Sequence, residues 1–177
     1  MYYMLLVISI LILIIFVYNT ILKKRNKLES AFSSLDVMLK KRYDLIPNVV
    51  ETVKGYANYE KEVLENVTKL RNKIENKSDN TVEEISNEYN KFMKNVGFVI
   101  EKYPEIKASE NFIHLQVLLN EIEEQISAAR RTYNAHVESY NTYISMIPIN
   151  VLASIFRFKK YNFFEISSEE RDVVIWK

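Results

Sequence analysis

Hydrophobic residues run almost without interruption through the first 22 positions of the chain. From Met4 to Leu22 there are 19 residues and no charged side chain. As a helix this stretch is roughly 29 Å long, close to the hydrocarbon thickness of a bilayer. No Lys or Arg precedes the run, and Asn19-Thr20-Ile21-Leu22 is a poor cleavage site, so a removable signal peptide is disfavoured. We therefore predict a retained transmembrane anchor over residues 1–22, with residues 4–22 in contact with the lipid bilayer.

Basic residues follow the apolar run at once, at Lys23, Lys24, Arg25 and Lys27. Loops on the cytoplasmic side of a membrane carry an excess of Lys and Arg. This flank predicts a single-pass protein with its N-terminus outside and the rest of the chain at the inner face of the cytoplasmic membrane.

After the anchor, apolar residues recur at alternating steps of three and four, the spacing of a helix seam. The first seam predicts a helix over about residues 24–76, and the second a helix from a Thr81–Glu84 capping box to Pro104. The third starts at the cap Ser109 and ends at Pro148, with Val137 and Ile144 inward and His136 at the edge. The seam positions are Leu28, Phe32, Leu35, Leu39, Ile46, Val49, Val53, Tyr56, Val63, Val67, Leu70 and Ile74; Val82, Ile85, Tyr89, Phe92, Val96, Val99 and Tyr103; and Phe112, Leu115, Leu119, Ile122, Ile126, Ala129 and Tyr133.

The absence of alternating segments disfavours strands, so residues 23–149 are predicted to form an antiparallel up-and-down bundle of three to four long helices in an all-α protein. Pro47 leaves the number of helices open. Proline removes one backbone donor and crowds the carbonyl four residues back, so the first cytoplasmic helix is either kinked or broken there.

The tail, residues 150–177, mixes aromatic and basic residues after a short helical segment at 151–156. Two interpretations stay open. The aromatic rings cover the open end of the bundle core, which we favour because exposed aromatic patches are uncommon on soluble surfaces. Alternatively the tail lies on an anionic membrane surface. The candidate lipid contacts are Phe156, Arg157, Phe158, Lys159 and Lys160.

The amino-acid composition mainly excludes classes of function. A net charge of +1 gives no indication of nucleic-acid binding, and the lack of Cys excludes thiolate chemistry and zinc–cysteine sites. His114 and His136 lack the Glu-x-x-His spacing of a di-iron bundle. Gly55 and Gly97 stand alone, so there is no phosphate-binding loop. We therefore predict no enzymatic activity, no catalytic residues, no metal and no cofactor.

A few polar residues on or beside the seams require an explanation. Arg42 falls on the first seam, where a charge must pair or extend to water along its aliphatic stem. Two Tyr-Asn pairs lie seven residues apart and so share one face of the third helix, where their amides are predicted to bridge helices. The candidate interhelical or partner contacts are Arg42, Asn48, Tyr133, Asn134, Tyr140 and Asn141.

Several of these residues belong to sequence motifs that resemble those of a known protein family. The motifs are Leu35-Asp36-Val37; the block at 42–56, RYDLIPNVVETVKGY; Tyr103-Pro104-Glu105-Ile106-Lys107-Ala108; Phe112 with Leu115-Gln116; the block at 128–134, AARRTYN; Tyr140-Asn141; and Phe163-Phe164-Glu165. Together they resemble the LemA family of bacterial membrane-anchored proteins. The resemblance implies an N-terminal membrane helix, a bundle usually counted as four helices, and no established enzymatic activity or cofactor. A relative in magnetosome-forming bacteria is associated with making an intracellular membrane compartment.

These observations predict a membrane-anchored, non-enzymatic scaffold or adaptor that presents a helical bundle to an unidentified protein partner at the inner face of the bacterial cell membrane. The alternative is a protein that organises the membrane or contacts lipid directly, for which the tail and the family analogy speak.

Overall fold

The computed structural model describes residues 1–54 and 82–164, with the side chains of 54 and 82–85 excepted. Three predicted features lie outside the described residues: the seam positions from Tyr56 to Ile74, the Thr81–Glu84 capping box and the end of the tail beyond Phe164. The inward positions predicted for Val82 and Ile85 concern side chains that are not described.

Helices account for nearly all of the described chain, and these parts contain no strand. The predicted all-α class with a long apolar N-terminal helix is therefore confirmed. In chain order the helices are α1 (Tyr2–Asp44), α2 (Ile46–Lys54), α3 (Val82–Lys102), α4 (Pro104–Ala108), α5 (Glu110–Ser145) and α6 (Ile149–Ile155).

Helix α1 joins the apolar N-terminal segment and the first amphipathic seam without a break. Its 43 residues correspond to a rod of roughly 65 Å at the standard helical rise. The boundary predicted near residue 23 is therefore a change in side-chain character along one continuous helix. Because the helix is continuous, the residues that follow position 23 continue along the axis of the apolar N-terminal segment.

The interruption predicted at Pro47 takes the form of a break of one residue, Leu45, between α1 and α2. Proline has no N–H to donate to the carbonyl of Tyr43 and sits at the second position of α2, where that donor is not needed. The Leu45 N–H instead bonds the Arg42 carbonyl at 3.3 Å, and the Val49 N–H bonds the Leu45 carbonyl at 3.1 Å. Helical structure thus resumes within one turn.

The other helix ends follow from local chemistry. Helix α3 stops at Lys102, two residues before Pro104, which opens the short helix α4. Ser109 caps α5, since its Oγ accepts a hydrogen bond from the Phe112 N–H at 3.3 Å. Helix α5 ends at Ser145, ahead of Pro148, and α6 matches the short helix predicted in the tail.

The described residues divide into two compact units. Unit 1 comprises Met1–Val37 and Ile126–Phe164. Within it α1 and α5 are antiparallel, because Lys24 bonds Ser139 while Phe32, further along α1, packs on Tyr133, which is earlier in α5. Its buried apolar residues are Val17, Ile21, Leu28, Ala31, Leu35, Ile126, Tyr133, Val137, Tyr140, Ile144 and Ala153.

Val137 and Ile144 are buried and His136 is half-buried, as predicted from the drift of a straight helix. The inward position predicted for Phe32 is wrong, because that ring is 39% exposed. Ala31 is buried instead, and the Phe32 ring packs at the edge of the seam, 5.6 Å from the Tyr133 ring.

Unit 2 contains the described parts of Met38–Gln125. Helices α2 and α4 both pack against α3 in this unit. Its buried apolar residues are Leu39, Tyr43, Ile46, Val49, Val50, Val53, Tyr89, Phe92, Val96, Val99, Ile100, Ile106 and Leu115. Arg42 and Ser86 are the buried polar residues of its described part.

Candidate functional site

The N-terminal half of α1 exposes most of its apolar surface. Among the described residues, one helix is long and apolar enough to cross a membrane, and it is this one. Only 11% of its most apolar window is buried, which distinguishes it from the core helix of a soluble protein. The burial begins at Val17 and includes Ile21. The bare apolar surface of the helix therefore extends from Met1 to about Phe16.

A second exposed apolar surface lies in unit 1, around α6. Its residues follow the end of α5. The sequence analysis named Phe156 as a candidate lipid contact but not the four non-aromatic residues of this surface. The apolar residues on both sides of Pro148 were a signal from which they could have been predicted. The exposed residues are Met146, Ile147, Val151, Ile155 and Phe156.

Phe156 and Phe158, the aromatic residues among the predicted lipid contacts, pack on Tyr18 near the end of the apolar segment of α1. The Tyr18 ring lies 5.0 Å from the Phe156 ring and 5.8 Å from the Phe158 ring. Phe156 stays exposed and Phe158 is half-buried. The basic members Arg157, Lys159 and Lys160 are exposed.

Two asparagines of α5 hold the segment that follows α6. The Asn141 amide donates to the Tyr161 carbonyl at 2.8 Å and accepts from the Tyr161 N–H at 3.0 Å. The Asn134 amide donates to the Phe164 carbonyl at 3.1 Å and accepts from the Phe164 N–H at 2.9 Å. Each side chain thus pairs with a peptide group as a second peptide group would.

The spacing of these two clamps matches the geometry of the two chain segments they join. Seven residues of helix separate Asn134 from Asn141, which corresponds to about 10.5 Å. Three residues separate Tyr161 from Phe164, or about 10 Å when the chain is extended. The segment therefore runs extended along α5 in the opposite direction. Whereas the sequence predicted that the asparagines would bridge helices, they join a helix to a non-helical segment.

The neighbouring tyrosines complete this attachment. Tyr133 donates its hydroxyl to the Asn162 carbonyl at 3.1 Å, and the buried Tyr140 ring contacts the Tyr161 ring edge-on at 5.4 Å. Burial, followed by the nearby Tyr161 hydroxyl, raises the pKa of both Tyr133 and Tyr140. The face carrying the two Tyr-Asn pairs is thus covered by the C-terminal segment.

Arg42 forms the centre of a buried polar cluster in unit 2. It is 3% exposed, and its Nη1 donates to Glu123 Oε1 at 3.2 Å. Its Nη2 donates to Ser86 Oγ at 3.2 Å and to the Tyr43 hydroxyl at 3.4 Å. The guanidinium carbon lies 4.3 Å from the centre of the Tyr89 ring, a cation–π contact. The pairing of Arg42 was predicted, but its partners Ser86 and Glu123 were not, because they lie 44 and 81 positions further along the chain.

The electrostatics of the cluster keep a charge inside the unit. Burial alone would lower the pKa of Arg42, but Glu123 and the two tyrosines more than offset this, so its pKa is raised. Burial also raises the pKa of Tyr89 well above its ordinary value, against the opposing attraction of Arg42. The cluster therefore holds a buried cation next to Glu123 and the neutral Tyr89 phenol, an arrangement suited to fixing helix register.

Asn48 is exposed at the edge of an open surface pocket of about 300 Å³ in unit 2. Its backbone carbonyl accepts a hydrogen bond from the Thr52 hydroxyl at 2.8 Å. Within the described residues no three His, Cys, Asp or Glu side chains are grouped to hold a metal. The lining residues are Asn48, Thr52, Glu110, Asn111, His114, Leu115 and Leu118.

Comparison with known proteins finds relatives that are named LemA and MamQ. "Protein LemA" of Metamycoplasma hominis is 26% identical over 155 residues, covering 86% of this chain and 71% of that protein. "Magnetosome protein MamQ 2" of Paramagnetospirillum magneticum is 25% identical, covering 91% of this chain and 71% of that protein. "Magnetosome protein MamQ" of Magnetospirillum gryphiswaldense is 30% identical over a shorter stretch, 37% of this chain and 24% of that protein. The model of the LemA family matches residues 31–175, and the chain belongs to that family.

Proposed function

We propose that this protein is a membrane-anchored, non-enzymatic scaffold or adaptor that presents its helical domain to a protein partner. The observation that supports this most is the continuity of α1. A bare apolar segment at Met1–Phe16 continues as the same rigid helix into a folded, charged domain. Such an arrangement holds a folded surface at a fixed position next to a bilayer.

The proposed orientation places the N-terminus outside and the domain at the inner face of the cytoplasmic membrane. Its support is the basic flank Lys23, Lys24, Arg25 and Lys27. Lys24 also donates to Ser139 Oγ at 2.9 Å, which ties the flank to α5 inside unit 1.

Orientation is testable because the chain has no Cys, so single cysteines label cleanly. We expect a Tyr2→Cys variant to react with a membrane-impermeant maleimide in intact cells. A Glu138→Cys variant, exposed on α5, should react only after the inner membrane is opened. The opposite pattern would reverse the topology.

The partner is testable with a photoreactive residue placed at Glu121 or Glu124, both exposed on α5. We expect a specific protein adduct after irradiation of intact membranes, identified by mass spectrometry. Leu11, on the apolar helix, provides the matched control and should yield lipid adducts. No protein adduct above background at either Glu position, under several growth conditions, would contradict an adaptor role.

The proposal of a non-enzymatic role rests on the sequence. Cys is absent and the two His lack partners at ligand spacing, so the sequence offers neither a thiolate nucleophile nor a di-iron carboxylate site.

A direct role in organising the membrane is the second candidate. The exposed apolar residues around α6 favour it, and the names of two relatives associate them with magnetosomes. Reconstitution of the full-length protein into vesicles at increasing protein-to-lipid ratio tests this role by electron cryomicroscopy. Vesicles that become tubular or smaller with protein content would support it, and unchanged vesicles would favour the scaffold.

A further inference from the structure

We propose that residues 146–156 form a second membrane contact, in which α6 lies in the bilayer interface beside the anchor. This inference rests on the proposed membrane insertion of α1. It adds a lipid-binding surface and a fixed orientation of unit 1 on the bilayer.

Side-chain exposure around α6 has the pattern of an interfacial helix. Val151 and Ile155 are one helical turn apart and are 58% and 66% exposed, whereas Ala153 is buried on the opposite side. Ile147, in the turn before α6, is 85% exposed. Asn150 and Ser154, both exposed, border this apolar stripe with polar groups. Exposed apolar surface bordered by polar residues marks a site of contact with a membrane or a partner, and an apolar helix face of this kind inserts into the boundary of headgroups and acyl chains.

The position of α6 in unit 1 brings this stripe to the correct depth. Phe156, directly after α6, packs on Tyr18 with ring centroids 5.0 Å apart. Tyr18 precedes Leu22, the end of the predicted span, by four residues, which is about 6 Å of helix. Interfacial helices bury their apolar face about 5–10 Å into the boundary of headgroups and acyl chains. The contact therefore places α6 at the level of that boundary.

Charge beside the stripe favours an anionic lipid surface as the occupant over a protein. Arg157, Lys159 and Lys160 follow α6 and are exposed, and Lys23 is exposed at the end of the predicted span. Basic groups that flank an apolar stripe at the cytoplasmic interface bind anionic headgroups. Phe156, directly after the stripe, packs on Tyr18, which lies two residues after the bare apolar surface of α1, so a bilayer that covers one surface also reaches the other.

The segment is held in place from the opposite side. Helix α5 ends at Ser145 immediately before it, and Asn141 pairs with Tyr161 shortly after it. Because the chain is attached to α5 on both sides of α6, α6 cannot move away from the rest of unit 1 without breaking these bonds. The second contact consequently limits rotation of unit 1 about the anchor.

Single-cysteine variants of the full-length protein, labelled with the fluorophore NBD in nanodiscs of phosphatidylcholine and phosphatidylglycerol, test this proposal. Ile155→Cys reports on α6, Phe16→Cys on the anchor and Ala135→Cys on an exposed position of α5. We expect iodide quenching at position 155 to be roughly threefold weaker than at 135, because the headgroup region shields the probe. Spin labels attached high on the acyl chains should quench the probes at 155 and 16 but not at 135.

The controls separate failure of this proposal from failure of the anchor. A probe at position 16 that is as accessible to iodide as the probe at 135 would overturn membrane insertion, and both proposals with it. A shielded probe at 16 with an accessible probe at 155 overturns the interfacial helix alone. A probe at 155 that is shielded from iodide but not quenched by lipid spin labels would show contact with a second copy, which also overturns it.

Discussion

Asn141 and Tyr161 are joined by two hydrogen bonds, one in each direction, between a side-chain amide and a peptide group. The same pair of hydrogen bonds joins Asn134 to Phe164. Every residue has a peptide carbonyl, and every residue except proline has a peptide N–H, so these bonds hold the segment in place largely independently of its side chains. Its register then depends on Tyr140 and Tyr161, whose rings pack edge-on.

We expect the Asn141→Ala variant to loosen the C-terminal segment. Both hydrogen bonds to Tyr161 are lost and its peptide group is left half-buried, at a cost of about 1–2 kcal/mol. Amide hydrogen exchange at Tyr161 should accelerate roughly tenfold, since about 1.4 kcal/mol corresponds to a factor of ten. Asn120→Ala, the same substitution at an exposed position of the same helix, is the matched control. Equal protection of Tyr161 in both variants would contradict the clamp.

The Glu123→Ala variant should lower the free energy of unfolding because it removes the carboxylate that pairs with the buried Arg42. Breaking a fully buried pair costs about 3–5 kcal/mol, and Glu123, with a 49% exposed side chain, should cost less, about 1–3 kcal/mol. Urea unfolding in detergent micelles measures the difference. Glu124→Ala, at the exposed neighbouring position, should have little effect.

Arg42→Met should be tolerated better than removal of its counter-charge. The methionine fills similar space, while the Ser86 and Tyr43 hydroxyls, 3.5 Å apart, can bond each other. In the Arg42→Met background, Glu123→Ala should then have almost no further effect. A double-mutant cycle shows this as a coupling energy close to the whole cost of Glu123→Ala. Additive effects would show that the two side chains do not interact.

Stability should decrease in alkaline solution partly through Tyr89. Its pKa is raised in the folded state by burial, so the unfolded chain loses this proton first, near the ordinary value of about 10. The contribution is therefore complete below about pH 10 and is lost as the pH rises toward the folded-state pKa, by at most about 1.4 kcal/mol per pH unit. Tyr89→Phe should flatten this decline above about pH 10, relative to the original protein. An identical decline in both proteins would contradict the assignment.

Removal of the Ser109 cap should destabilise the start of α5. Ser109→Ala loses the bond from the Phe112 N–H, and its own hydroxyl no longer donates to the Ile106 carbonyl at 2.9 Å. Loss of such a cap costs about 1 kcal/mol, whereas an Asp at this position preserves the acceptor. Unfolding of both variants and amide exchange at Phe112 measure the effect. A Ser109→Asp variant as destabilised as Ser109→Ala would show that the cap is unimportant.

The class of fold was readable in the sequence because helical periodicity and an apolar run are local properties of the chain. The spacing also predicted the burial of Val137 and Ile144 on α5 and the cap at Ser109. These depend on neighbours three or four residues away, which the sequence displays directly. The interruption at Pro47 was equally local, because the missing N–H belongs to that residue alone.

Contacts between distant segments were decided by the tertiary structure. The sequence marked Arg42 and the two Tyr-Asn pairs as unusual, but it did not show that Ser86 and Glu123 meet Arg42 or that Asn141 binds Tyr161. Such pairings depend on how helices cross and where loops return, and no periodicity encodes them. The exposed stripe on α6 is of the same kind, since the place of α6 beside α1 depends on the packing of Phe156 on Tyr18 of another helix.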